Sequence, residues 1–286
     1  MSKLASFAAA GVLGRRSFLR QAACAGLAAA AAPALDLIAA PAEASNWRGL
    51  VGCVKPRAND PVIAEMIRLL PPGVGVAVAY LNFTEGSNEE MQRSLPNYEK
   101  NIAYLASQKC DLISVEGAPP FMMLGPEGET KLVDGWKEKY KTDMFTSSQN
   151  QVNAFRALKA KKILGITSGS GGPEMERVYA KYFEDSGFSV VAMQGMGGVE
   201  FSAVQDVPPE KISAFIKKTF NEHKGADAVY ILGSSLEAIR LIEPLERELG
   251  VPVVQAIAAR IWEIQKRLKV HEPIRGYGRL LETLPA

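Results

Sequence analysis

Histidine and cysteine are scarce: the 286 residues hold two His and three Cys. His223 and His271 stand in charged, helix-end contexts, and no Cys or acidic cluster lies at ligand spacing, so a metal site is not expected. The glycine-rich run "GSGG" has no Lys-Ser/Thr continuation, which excludes a P-loop. No organic cofactor is expected either. A basic block is also missing. With Lys+Arg 33 against Asp+Glu 31, the net charge of +2 offers nothing to track nucleic acid. Past the N-terminus, no run approaches the roughly 20 apolar residues that span a bilayer. What is present is ordinary globular composition, 47% hydrophobic and 22% charged, enough for one large core or two modest ones.

The first 44 residues read as something other than fold. "GRRSFLRQAACAGLAAAAAPALDLIAAPAEA" opens with Arg15-Arg16, continues into an Ala-rich stretch, and ends on Ala42-Glu43-Ala44 before Ser45. It resembles a cleaved twin-arginine export signal. Pro33, Asp36 and Pro41 break the apolar stretch, which argues against a stable membrane anchor. The expectation is a periplasmic protein, with the twin-arginine translocase as its partner during export. Cys53 and Cys110 remain in the mature chain, both within strand patterns, and are expected to be buried, reduced thiols.

Apolar strand patterns alternate with helical ones throughout. "RGLVGCVKP", "GVGVAVAYLNF", "CDLISVEG" and a short "TDMFTSS" make one series. "KKILGITSGS", "FSVVAMQGM", "ADAVYILGSS" and "PVVQA" make a second. Helical spacing fills the gaps, as in Val152, Phe155 and Leu158. This alternation predicts an α/β protein of two pseudo-symmetric lobes, each a mainly parallel sheet flanked by helices. The lobes are placed at 45–145 and 146–286, with the C-terminal segment free to return to the first. Self-association is left open.

Ligands of such sheets bind at the carboxyl ends of the strands, and these ends are rich in Gly, Ser and Thr. Gly233, Ser234 and Ser235 follow a strand, and the next helix is expected to start at once, forming an anion cradle or simply a cap. Thr167, Ser168 and Gly169 form a matching turn, and Thr146 and Ser147 another. Asn82 and Thr84 close the second strand as hydrogen-bonding candidates or loop caps. Two charged residues are the candidates for chemistry. Glu116, beside the apolar "APPF" loop, reads as an acid or base, or as a structural carboxylate. Lys55 reads as a carboxylate binder or enolate stabiliser, or as an exposed strand-end lysine. Cys53 shares its side of the strand.

The order of these segments resembles a known family. "GADAVYILGSSLEAIRLIEPLERELGVPVVQ", "GYGRLLE", "FTSSQNQVNAFRALKAKKILGITSG" and "GMGGVE" are similar to the arylmalonate decarboxylase and maleate cis-trans isomerase branch of the aspartate/glutamate racemase superfamily. The resemblance implies an active-site cleft between the lobes and cofactor-independent chemistry with a cysteine at one or both strand ends. Those positions fall at Gly117 and Gly233, so neither thiol is present. Ala118 and Pro119 stand where the resemblance implies a hydroxyl pair, and the decarboxylase tyrosine falls near Gly169. The leading expectation is a decarboxylase- or isomerase-like enzyme acting on a small carboxylate or dicarboxylate through an enolate-like species. Glu116 and Lys55 would act, and Gly117, Ala118 and the polar turns would bind. The rival is a non-catalytic periplasmic carboxylate-binding protein on the same scaffold.

Overall fold

The computed structural model describes residues 46–58, 62–233 and 235–283. The export-like segment at 1–44 and Ser234 lie outside the described residues. Two four-stranded parallel sheets make the frame. The first comprises β1 (Gly49–Lys55), α1 (Val62–Leu69), β2 (Val74–Tyr80), α2 (Asn88–Gln92), α3 (Leu95–Ser107), β3 (Leu112–Val115), α4 (Ala118–Met122), α5 (Gly125–Tyr140) and β4 (Asp143–Thr146). After α6 (Ser147–Ala157), the second comprises β5 (Lys162–Thr167), α7 (Gly172–Asp185), β6 (Ser189–Gly195), α8 (Pro209–Glu222), β7 (Ala228–Ile231), α9 (Ile242–Leu249) and β8 (Val253–Gln255). Helices α10 (Ala256–Leu268) and α11 (Arg279–Glu282) close the chain, and 3-10 turns occupy Phe201–Asp206 and Ile239–Leu241.

The strand orders are β2-β1-β3-β4 and β6-β5-β7-β8, the same pattern twice. Central β3 and β7 are buried along their whole length, as strands covered on both faces must be. Edge strands β2 and β6 are mostly half-buried. Each order reverses between its two central strands, β1 and β3 or β5 and β7. Those are the switch points where open α/β sheets leave a crevice.

Two helices join the lobes. The capping box of Thr146 and Gln149 starts α6 directly at the end of β4. Gln255 accepts a bond from Ile257 N–H and starts α10 directly at the end of β8. Residues 256–265 of α10 are all buried, the signature of a helix with no solvent face. Although it follows the second sheet, α10 packs on α1, α6 and β3. The main core therefore runs unbroken from Val51 in β1 to Ile231 in β7, within one compact unit. A second cluster, including Ile113, Phe121 and Trp136, fills the other side of the first sheet.

One expected junction is corrected. The chain does not enter a helix at Gly233–Ser235; α9 begins only at Ile242, after the turn at Ile239–Leu241. Leu236, Ala238 and Ile239 are buried, so this stretch uses its apolar residues to plug the core. It cannot wind into the amphipathic helix that their spacing suggested.

Candidate functional site

A cavity of about 130 Å³ lies where the carboxyl ends of the two sheets meet. The first lobe contributes Pro56 and Arg57 after β1, Phe83 after β2, Gly117 to Pro120 after β3, and Ser147 and Gln151 from α6. The second contributes residues 167–172 after β5, Tyr179 from α7, Phe201 and Val204 from the 3-10 turn, Leu232, Gly233 and Ser235 after β7, and Ala256. Both switch points thus open onto one space.

Most of the wall is apolar, and its polar groups are mainly neutral. Thr167 Oγ1 accepts from Gly169 N–H at 3.0 Å, and the Ser168 and Ser170 hydroxyls lie 3.0 Å apart. Ser147 is 4% exposed, and its Oγ has no hydrogen-bond partner among the described residues. Arg57 donates to Phe201 O and Gln205 Oε1, both at 2.9 Å, and stacks 4.5 Å from the Phe201 ring centroid. It thereby ties the first lobe to the turn over the cavity. Burial, and secondarily the Glu176 charge, push the Tyr179 phenol up, so it stays protonated. Among the described residues, the wall holds no thiol, imidazole or carboxylate, and no group of three His, Cys, Asp or Glu is placed to hold a metal.

The arylmalonate decarboxylase family profile matches residues 51–281. The chain belongs to the arylmalonate decarboxylase family. It is 24% identical over 241 residues to a maleate isomerase of Nocardia farcinica, covering 81% of this chain and 94% of that one. Among solved structures, the maleate isomerase Iso of Pseudomonas putida superposes with a TM-score of 0.77 at 18% identity, over 83% of this chain and 99% of that one. Unliganded arylmalonate decarboxylase superposes with a TM-score of 0.71 at 20% identity, over 82% and 99%.

Within this family fold, the structure divides the residues singled out from sequence. Gly117, Ala118, Ser147, Thr167, Ser168, Gly169, Gly233 and Ser235 all reach the cavity wall. Asn82 and Thr84 do not. The chain has left β2 at Tyr80 and passes through a left-handed Asn82 at φ +60°; Phe83 is buried while Asn82 and Thr84 are exposed. Thr84 N–H instead donates to Glu90 Oε1. Thr146 is buried behind the wall as the cap of α6, with its hydroxyl on Glu129 Oε1.

Lys55 and Glu116, expected at the rim, are placed elsewhere. They are 0% and 1% exposed, and neither lines the cavity. Glu116 N–H bonds Val54 O, so the two residues sit side by side on neighbouring parallel strands and point to the same face. On that face Lys55 Nζ meets Glu116 Oε2 at 2.7 Å, and Arg260 Nη2 from α10 meets the same oxygen at 3.1 Å. The ion cluster pins α10 to the sheet one residue before each strand end turns into the cavity. Cys53 lies beside it, fully buried, and burial followed by the Glu116 charge pushes its thiol well above the ordinary range. Cys110 is also buried, and both cysteines are free.

Sequence reasoning missed Arg57, Phe83, Gln151, Tyr179, Phe201, Val204 and Leu232 as wall residues. Gln151 had a usable signal, since it stands one helical turn after Ser147 on the same face. Tyr179 reads as core from its spacing to Met175, Tyr182 and Phe183, all buried on one side of α7.

Proposed function

We propose that this family member binds a small carboxylate carrying an apolar group in the cavity between its lobes. The observation that supports this reading is the wall itself: hydroxyl and amide donors on an apolar lining, with no acid-base side chain beside them among the described residues. Such a wall desolvates an anion and replaces its water with fixed donors, while offering nothing that shuttles a proton at neutral pH.

A second reading is decarboxylation. It is favoured by the same mixture of apolar wall and donors, which suits release of carbon dioxide from a malonate-type substrate. The carbon–carbon bond breaks, its electron pair stays as an enediolate held by the donors, and water supplies the proton. Calorimetry with phenylmalonate, maleate and phenylacetate, followed by NMR of each mixture in deuterated water, separates the readings. Binding without product supports the first. Loss of carbon dioxide with deuterium at the α-carbon replaces it by the second. No binding of any carboxylate overturns both. On the strength of Arg15-Arg16 and Ala42-Glu43-Ala44 we also propose export to the periplasm, tested by fractionating cells that express the chain with Arg15-Arg16 or with Lys-Lys in their place.

A further inference from the structure

Three polar side chains on the cavity wall are at least nine-tenths buried and have donor groups that no described residue engages. Ser147 is 4% exposed, and its hydroxyl is without a partner among the described residues. Gln151 lines the cavity and is 1% exposed; its Oε1 accepts the Tyr230 hydroxyl at 2.5 Å, so Nε2–H₂ is its remaining donor group. Tyr179 is 5% exposed, and its hydroxyl lies close enough to Gly171 that a Cβ there would meet it at 3.6 Å. Ser147 and Gln151 stand at i and i+4 on α6 and so share one face. Tyr179 faces the same space from α7 in the other lobe.

Leaving the Ser147 hydroxyl unmatched in an apolar enclosure is costly, at about 1–3 kcal/mol for a buried group without a partner. The space is far larger than the ~15 Å³ that a single water needs. We infer that Ser147 Oγ, Gln151 Nε2 and Tyr179 Oη together form the seat for one carboxylate group of the ligand, held by neutral donors from both lobes. This rests on the carboxylate reading above and names the atoms that carry it. The seat requires no cation, because the Arg57 guanidinium is already committed to Phe201 and Gln205. Burial keeps the Tyr179 proton on its oxygen, so the phenol donates a hydrogen bond and does not act as an acid. The Tyr230 hydroxyl positions Gln151 through its Oε1 and does not touch the ligand.

The test is calorimetric titration of the full chain with phenylacetate and phenylmalonate, for wild type, Tyr179→Phe, Ser147→Ala and Thr84→Ala. The carboxylate stretching band of ¹³C-carboxyl phenylacetate is read by infrared difference spectroscopy. We expect Tyr179→Phe and Ser147→Ala each to weaken binding at least about tenfold, equivalent to about 1.4 kcal/mol. Each should also shift the band toward its value in water, a change that a purely structural role would not produce. Thr84→Ala should leave both readings as in wild type. If wild type binds a probe and both cavity variants bind it equally with an unmoved band, the donor seat is wrong and the carboxylate reading stands. If wild type binds neither probe, the carboxylate reading itself falls. Either cavity variant suffices should the other fail to fold.

Discussion

Glu116→Gln isolates the buried ion cluster with almost no change in volume. The carboxylate sits 2.7 Å from Lys55 Nζ and 3.1 Å from Arg260 Nη2, and all three side chains are about 1% exposed. Coulomb attraction at such distances is large in a poorly polarisable interior, but so is the cost of dehydrating the ions, and the two nearly cancel for the intact cluster. They do not cancel once one partner is removed. A neutral amide in place of the carboxylate would leave the Arg260 guanidinium buried without the charge it now meets, at a cost of about 3–5 kcal/mol. With a urea m-value of about 3 kcal/mol/M, the midpoint should fall by roughly 1–1.7 M. Asp134→Asn, which breaks the exposed pair with Lys137, is the control and should shift stability by less than about 0.5 kcal/mol. Combining Glu116→Gln with Arg260→Met should cost less than the two changes summed, by about 1–3 kcal/mol, because the second removes a charge that the first left stranded. A midpoint shift below about 0.3 M for Glu116→Gln, alongside a large change in ligand turnover, would refute a positioning role and return Glu116 to the chemistry.

The two strand-end glycines should respond differently to an introduced thiol. Gly233 has φ +95° and open space around a new Cβ among the described residues, so Gly233→Cys should cost about 1–2 kcal/mol and present a reactive thiol on the cavity wall. At Gly117, with φ +94°, a Cβ would collide with Tyr98 Oη and meet Pro56 Cγ at 2.8 Å, and Tyr98 is held by its bond to Glu116 O. Gly117→Cys should therefore cost about 1–3 kcal/mol more, read by thermal unfolding. Glu129, buried among the hydroxyls of Thr146, Ser148 and Tyr182, has a carboxyl raised above its ordinary 4.5 by burial, against the opposing pull of those three donors. Its contribution to stability is complete below pH 4.5 and is lost as pH rises through the raised value, so the difference between wild type and Glu129→Gln should change with pH above 4.5; parallel curves would contradict this. Native protein should leave Cys53 unlabelled by a thiol reagent that modifies it fully in guanidinium, since burial withholds both access and thiolate.

The fold was legible because parallel sheets write themselves in the sequence. Strands such as "CDLISVEG" and "ADAVYILGSS" are apolar on both faces and end in small polar residues, so both their existence and their functional end can be read. The pieces that escaped are those set by tertiary demand. Short α4 and the 3-10 turn at Phe201–Asp206 carry no amphipathic period of their own. The stretch from Leu236 to Ile239 carries one, but core packing overrides it. A helix propensity of a few tenths of a kcal/mol per residue is outweighed when several apolar side chains at ~1.5–3 kcal/mol each gain burial in another conformation.

The site was half legible for a related reason. Residues that reach the cavity through backbone and small side chains, such as Gly117, Gly169 and Gly233, follow from where strands end. Side-chain direction does not follow so easily. Lys55 and Glu116 end adjacent strands, and one position decides whether a strand-end side chain enters the cleft or lies beneath α10. Sequence alone weights a carboxylate and an ammonium toward chemistry because burying them looks prohibitive. The missing fact was Arg260, 144 residues beyond Glu116 and in a helix that belongs by order to the other lobe but packs on the first. Once that guanidinium is supplied, burial becomes tolerable, and the charges serve to hold α10 against the β1 and β3 ends. The cavity wall then includes groups that sequence reads as core, Gln151 and Tyr179, both almost fully buried on helices.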